Sequence, residues 1–536
     1  MKALTAQEMR EVDRLTTERL GISSSQLMES AGKHVAEAVL RRFPPSTKPR
    51  VAILCGKGNN GGDGLTAARQ LRDSGIDPFV YLFGKAEDLR GEARLNYDRH
   101  LQSGGKVTEV LEDAAWQSSW PAIAASDAMV DGLLGTGLRG AATGVVARAI
   151  EEINQFSRNT QSARPAFILA IDTPSGLPSD GESASGPILH AHETVTFTAP
   201  KIGQLVSLNA ASVGRLAVVD IGSPRSLVEE IGRSQLRWVE PQEFASLPFR
   251  RWPDSNKGLF GHILVVAGSV GKTGAAVMAS LAALRTGAGL VTIATPEPAL
   301  PVVAAAHPEY MTEPLLPTGD GTIAEVNLDS GRFAAAAKGK TLFAIGPGLG
   351  QTPETQLFIR TVVRNAEVPI VLDADGLNAF AGRAEELCGR KSPFLAITPH
   401  PGEMARLMCC TVKDVQRDRV KAAVESAKRW NAHVVLKGFH TIIASPEGAL
   451  FVSTPGNPGM AKGGSGDVLT GVLAGVTGQF GTQDWARVLA LGVELHGRAA
   501  DLAVEGTDPS GLLASEIAEA LPEARHALLR ELCLHG

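Results

Sequence analysis

The run Gly456-Asn457-Pro458-Gly459-Met460-Ala461-Lys462-Gly463-Gly464-Ser465-Gly466-Asp467 packs glycines around one carboxylate, just ahead of an apolar run, residues 468–476, that reads as a helix. Backbone N–H groups at a helix N-terminus bind anions, and glycine lets a phosphate come close. An aspartate there repels a resting phosphate. It makes chemical sense as a base beside a transferring phosphoryl group, where it takes the proton of the attacking hydroxyl. The plainer alternative is a glycine-rich turn capped by Asp467. The number of glycines and the clear helix behind them favour the phosphate site.

Other loops of this half repeat the pattern. Gly346-Pro347-Gly348-Leu349-Gly350, Asp373-Ala374-Asp375-Gly376-Leu377-Asn378, Thr398-Pro399-His400-Pro401-Gly402-Glu403 and Lys437-Gly438-Phe439-His440-Thr441 each follow a short strand-like run. His400 lies between two prolines that fix its backbone. It is read as a ligand contact, with a structural hydrogen bond as the alternative. Lys437 could pair with a phosphate or lie on the surface, and Asp373 and Asp375 could cap helices or organise magnesium through water. Gly268-Ser269-Val270-Gly271-Lys272-Thr273-Gly274 tempts a P-loop reading. That pattern puts its first glycine where Val266 stands, so the P-loop is excluded. A small-residue turn remains, opening an alanine-rich helix over 275–285.

In the first half, Gly56-Lys57-Gly58-Asn59-Asn60-Gly61-Gly62-Asp63-Gly64 follows a buried strand at 51–55. It matches G-x-G-x-x-G, but the dinucleotide fingerprint also wants an acid at the tip of the next strand. Tyr81-Leu82-Phe83-Gly84 offers none, which demotes a dehydrogenase. Two asparagines and Asp63 suit a ligand with hydroxyls and phosphates, or a weakly held cation bound by oxygens. Asp131-Gly132-Leu133-Leu134-Gly135-Thr136-Gly137-Leu138 and Asp172-Thr173-Pro174-Ser175-Gly176 end two further strands. Each alone could be a turn with a helix cap. Together they would converge on one crevice beyond the carboxyl ends of a parallel sheet.

Positioning these loops takes a particular scaffold. Helical spacing is clear at Leu4, Met9, Val12 and Leu15, and again at Leu27, Ala31, Val35 and Val39. Strands are expected at 51–55, 78–83, 128–131, 167–171, 193–197 and 216–219, then at 262–267, 290–294, 341–345, 370–373, 394–398, 433–437 and 441–445. Strands alternating with helices imply α/β units with mostly parallel sheets. The pattern weakens after Gly222, and a linker is placed at 226–237, between domains 1–225 and 238–536.

The chain of 536 residues suits two domains, and 44% hydrophobic content supplies their cores. A net charge of -5 and pI near 6.2 carry no footprint for nucleic acid. No apolar run reaches the length needed to span a membrane, and the N-terminus lacks a secretory core. Cys55, Cys388, Cys409, Cys410 and Cys533 fit no zinc pattern, and a reducing cytoplasmic setting is expected. A homo-oligomer is expected, of a size that these residues do not set.

The first-half loops resemble the NAD(P)H-hydrate epimerase domain, over roughly 1–222. The resemblance implies a Rossmann-like αβα sandwich. It implies that Asn59, Asn60, Gly61, Gly62 and Asp63, then Gly135, Thr136, Gly137, Leu138, Arg139, Gly140 and Ala141, and Asp172, contact the hydrated cofactor. Asn60, Asp131 and Ser175 would hold a potassium ion, and Asp172 is the choice for acid/base work. The second half, roughly 238–529, resembles the ADP- or ATP-dependent NAD(P)H-hydrate dehydratase domain of the ribokinase-like superfamily. Here Ala276, Gly350, His400 and Asp467 would contact the hydrate, with Asp467 catalytic. ADP would be bound by Lys437, Gly438, Phe439, His440 and Thr441, with Asn457, Pro458, Gly459, Met460, Ala461, Lys462, Gly463, Gly464, Ser465 and Gly466. Magnesium would accompany the nucleotide, and the fused arrangement favours ADP over ATP.

The expected function is therefore twofold: interconversion of R and S NAD(P)H hydrates, and ADP-driven dehydration of the S form. The alternative is a ribokinase-like small-molecule kinase with an N-terminal binding module. A kinase would release a stable phosphorylated alcohol, whereas a dehydratase releases phosphate and a reduced nicotinamide.

Overall fold

The computed structural model describes residues 1–138, 140–158, 166–481 and 484–533. The chain divides into two compact units, Met1–Ser234 and Gln235–Gly536.

The first unit holds β1 (Val51–Cys55), β2 (Phe79–Leu82), β3 (Val107–Glu109), β4 (Ala128–Gly132), β5 (Phe167–Ile171), β6 (Glu193–Phe197) and β7 (Arg215–Val219). They form one parallel sheet in the order β3-β2-β1-β4-β5-β6-β7. Strand side chains alternate between faces. Ile53 and Cys55 pack with Leu65 and Leu71 in one core, while Ala52 and Leu54 pack with Trp116 and Ile150 in another. Helices cover both faces, which is why β1 and β5 read as unbroken apolar runs. The strand order reverses between β1 and β4, and such a reversal opens a crevice at the strands' carboxyl ends.

The second unit holds β8 (Leu236–Trp238), β9 (His262–Val266), β10 (Leu290–Pro296), β11 (Met311–Leu315), β12 (Leu342–Ile345), β13 (Ile370–Leu372), β14 (Leu395–Ile397), β15 (His433–Leu436), β16 (Thr441–Ala444) and β17 (Leu450–Ser453). Their order is β11-β10-β9-β12-β13-β14-β15-β16-β17-β8. The sheet is parallel except where β16 runs against β15 and β17. The helices Thr273–Thr286, Ser465–Phe480, Trp485–Ala503 and Ala514–Glu531 share one core. Glycine explains how two of them meet: a Cβ on Gly471 would lie 2.0 Å from the Ala279 carbonyl oxygen. Here the reversal falls between β9 and β12.

β3, β8, β11 and β17 were not among the expected strands. Residues 226–237, expected as a linker, are largely regular: Arg225–Ile231 is helical and β8 belongs to the second sheet. Leu227 and Val228 pack on Leu4, Met9 and Leu15 of the first unit, and burial there overrides the polar look of the segment. Among the described residues no helix is long and apolar enough to cross a membrane.

Candidate active sites

The first site lies at the switch point between β1 and β4. Asn59 to Asp63 are not a free loop but the opening turns of the helix Asn59–Asp73; the first-turn N–H groups are left for a ligand, while the Gly62 N–H is bonded to the Gly58 carbonyl at 3.1 Å. A Cβ on Gly61 would sit 1.9 Å from the Gly56 carbonyl oxygen, and one on Gly56 would sit 1.9 Å from that of Leu133. Only glycines let the two loops touch backbone to backbone. The Asn60 amide nitrogen donates to the carbonyls of Leu134 and Ile171, each at 2.9 Å, which leaves Oδ1 as a free acceptor. Gly135 lies against that amide.

Asp131 is buried at the end of β4. Its carboxylate accepts from the Ser175 hydroxyl (2.5 Å), the Ser175 N–H (2.8 Å) and the Leu133 N–H (3.2 Å). All are neutral donors, and among the described residues no lysine or arginine pairs with it. Burial pushes its pKa up to about 6, against these hydrogen bonds. Ser175 bonds both Asp131 and the Leu134 carbonyl, which Asn60 also reaches, so oxygens of Asp131, Ser175 and Asn60 are linked through one small network of a kind that fits a weakly hydrated monovalent cation.

Asp172 takes the left-handed φ of +58°, a conformation that costs a non-glycine residue and is held by its surroundings. Its Oδ1 accepts from Lys201 Nζ at 2.5 Å and from Thr196 Oγ1 at 2.9 Å. Gln204 donates to its carbonyl at 2.5 Å. Lys201 is fully buried. Asn59, Gly137 and Gly140 are exposed, Gly62 packs on Met28, and Ala141 lies against Gly186. Arg139 lies outside the described residues.

The second site collects around Asp373, at the end of β13. Its Oδ1 accepts from Lys437 Nζ (2.8 Å) and its Oδ2 from Thr470 Oγ1 (2.7 Å). Glu403 lies 3.7 Å from the same ammonium. So Lys437 is no surface residue. Burial works to lower its pKa, yet Asp373 and Glu403 raise it, so it stays charged. Asp467 is the third residue of the helix Ser465–Phe480, rather than ahead of it. Burial first, then Asp373, pushes its pKa up to about 6. A Cβ on Gly466 would lie 3.4 Å from Lys437 Nζ, so the ammonium looks onto the helix N-terminus.

The glycine-rich run splits in two. Asn457 donates to the Ala500 carbonyl, Gly459 has the Pro509 carbonyl where a Cβ would go, and Lys462 donates to the Ser510 carbonyl. That part is tied down. Around Gly463 there is open space, and Gly464 takes a φ of +96° that turns the chain into the helix. The open part is therefore at Gly463, from which 464–466 lead into the helix N-terminus. Phe439 is half exposed and stacks on His440, with 4.0 Å between ring centroids, while Arg419 donates to the Phe439 carbonyl. Asp375 caps nothing: it accepts from the Gly350 N–H (2.9 Å), Gln351 (3.0 Å) and Lys272 (3.4 Å). His400 is the N-cap of Pro401–Met408, its Nδ1 accepting from Gly402 and Glu403. In the neutral ring that puts the proton on Nε2, which lies 3.5 Å from Glu403 Oε1. Ala276 is fully buried behind Gly268, so its side chain has no open face.

Residues 24–203 match the family model described as YjeF-related protein N-terminus, and 263–523 match NAD(P)H-hydrate dehydratase. The bifunctional NAD(P)H-hydrate repair enzyme of Moorella thermoacetica is 41% identical over 97% of this chain and 96% of its own. Those of Thermofilum pendens and Escherichia coli are 38% and 32% identical, over 98% and 96% of this chain and 97% and 92% of theirs. The chain belongs to the bifunctional NAD(P)H-hydrate repair enzyme family. Its two units are αβα domains, each built on one mostly parallel sheet, and the chain is an enzyme.

In this member of the repair-enzyme family the structure adds residues that sequence reasoning missed. Lys201, Thr196 and Gln204 gather round Asp172, whose charge reaches Asp13; Thr470 bonds Asp373, and Glu403 lies beside Lys437. The signals were faint. Lys201 is a lone cation beside apolar strand ends, and Thr470 is a hydroxyl inside a glycine-rich apolar helix.

Proposed function

We propose that the first unit interconverts R and S NAD(P)H hydrates at the Asp131–Asp172 crevice, and that the second dehydrates the S form with ADP, giving AMP, phosphate and NAD(P)H. The observation that carries the second half is Asp467: a carboxylate in the first turn of a helix whose N-terminus follows the open space at Gly463 and is faced by Lys437.

Hydroxide leaves poorly and phosphate leaves well. Asp467 takes the proton of the hydrate's hydroxyl as that oxygen attacks the terminal phosphorus of ADP, whose bond to the bridging oxygen breaks so that AMP leaves. The N–H groups of 463–466 and the Lys437 ammonium receive the charge that develops on the phosphoryl oxygens. The ring nitrogen's electron pair then expels phosphate, and the ring iminium so formed loses a proton from the adjacent ring carbon to the departing phosphate, which restores NAD(P)H. Asp373 holds Lys437 in place, and Thr470 holds Asp373. The half-exposed Phe439 offers a face for the adenine. Asp373, Asp375, Glu403 and Asp467 outnumber Lys437 and Lys272, a surplus of hard oxygen that suits magnesium arriving with the nucleotide phosphates. Potassium held by Asn60, Asp131 and Ser175 would neutralise Asp131 and brace the loops around it.

A chemically prepared mixture of both epimers, with ADP, magnesium and potassium, tests the reading. Complete recovery of NAD(P)H absorbance with stoichiometric phosphate release is expected. A stable phosphorylated alcohol instead would make the second unit a kinase.

A further inference from the structure

Four ionisable groups come from elements that converge beside the crevice: Asn60, three residues before Asp63 on its helix, donates to the carbonyl of Ile171, the residue before Asp172. Asp172 follows β5, Lys201 follows β6, Asp63 lies in the opening turns of the helix Asn59–Asp73, and Asp13 comes from the helix Ala6–Leu20. The one lysine is committed to Asp172 Oδ1 at 2.5 Å. Asp63 is 8% exposed and, among the described residues, makes no hydrogen bond and no ion pair. A carboxyl that is buried and unpartnered avoids charge, whereas one bonded to an ammonium keeps it. Burial first, then Asp172 and Asp13, raises the Asp63 pKa well above the usual carboxylate range, with Lys201 opposing. Asp13 leaves its Oδ1 unpartnered and is pushed up to about 6, while burial keeps the neighbouring Cys55 thiol neutral. A carboxylate bonded to an ammonium and a buried carboxyl without a partner, in one crevice, are the pattern of a base and an acid.

We propose that Asp172 and Asp63 are the base and the acid of the epimerisation, and that Lys201 is the positioning residue that decides which is which. This rests on the epimerase reading of the first unit, in which Asp63 figured only as a substrate contact. The hydrate carries its hydroxyl on the carbon beside the ring nitrogen. Asp172 takes the hydroxyl proton, and the carbon–nitrogen bond breaks. Its electron pair goes to the nitrogen, which takes the proton of Asp63, and a carbonyl forms on the carbon. Rotation about the adjacent carbon–carbon bond presents the other face. The nitrogen then attacks that carbon, its proton returns to Asp63, and the new hydroxyl recovers its proton from Asp172. Protons and electrons balance with no further reactant.

The full-length protein and a purified single epimer test this without ADP, so that dehydration is silent, with the epimers separated by chromatography. No acceleration by the wild type would overturn the epimerase reading itself. Given acceleration, Asp63→Asn and Asp172→Asn should each lower kcat by about 10²–10⁴-fold with little change in KM, and Asp63→Glu should restore part of it. The wild-type rate should fall in alkaline solution, where Asp63 loses its proton. Lys201→Met should lower kcat with little change in KM, since Asp172 then loses the ammonium that holds its carboxylate. A wild-type rate that stays flat into alkaline pH, or wild-type kcat in Asp63→Asn, overturns the acid–base assignment even if Lys201→Met fails to fold.

Discussion

Asp467 and Lys437 are four-fifths of the way along the chain and face one another across a helix start. Asp467→Asn keeps the shape and removes the base, so dehydration with ADP should slow by about 10²–10⁴-fold. Assays of phosphate release check this. The base acts ionised, and its pKa stands at about 6. The wild-type dehydration rate should therefore fall as pH drops through about 6 and level off above it. Lys437→Met removes the only cation bonded to the buried Asp373 among the described residues. Breaking such a pair leaves an uncompensated charge and costs about 3–5 kcal/mol, readable by urea unfolding. At this scale the sequence was half legible. Asp467, Asp131 and Asp172 announce themselves because glycines cluster beside them. Lys201, Asp13 and Thr470 do not, because each stands alone among ordinary neighbours and gains its meaning only from chain segments far away in sequence.

The elements show why those loops are glycine-rich. A Cβ on Gly346, at a φ of +135°, would lie 1.8 Å from the Asp373 carbonyl oxygen. Gly346→Ala should destabilise the second unit by about 1–3 kcal/mol or more, and should also loosen Asp373 under Lys437. Thermal unfolding reads the first effect and the KM for ADP the second. Strands flanked by such loops were legible from continuous apolar runs. β3, β8 and β11 were not: they lie at sheet edges, and Thr108, Glu109, Arg237 and Pro314 interrupt their apolar pattern. β17 is apolar but short, and follows too closely on β16 to stand out. The helix Asn59–Asp73 was hidden by its own first turn, where two asparagines and two glycines look like loop.

The whole molecule carries two sites in two units, and the units should be separable by mutation. From a mixture of epimers, Asp172→Asn should recover NAD(P)H quickly up to the S share, then only at the spontaneous epimerisation rate. Asp467→Asn should recover none yet still equilibrate a single epimer. Replacing potassium by a bulky organic cation should slow epimerisation while leaving dehydration of purified S hydrate unchanged. Recovery from purified S hydrate that responded equally to all three changes would refute the division of labour.

β8 lies at the edge of the second sheet, with β17 as its one neighbour, and the two run parallel. During synthesis β8 leaves the ribosome before every other strand of that unit, and its partner appears only after nearly all of them. Its ladder cannot form until the rest of the sheet is in place, and closing so long a loop is slow. Until then the outer edge of β17 stays open to any passing strand, which makes this edge the point where newly made chains are most exposed to pairing with one another.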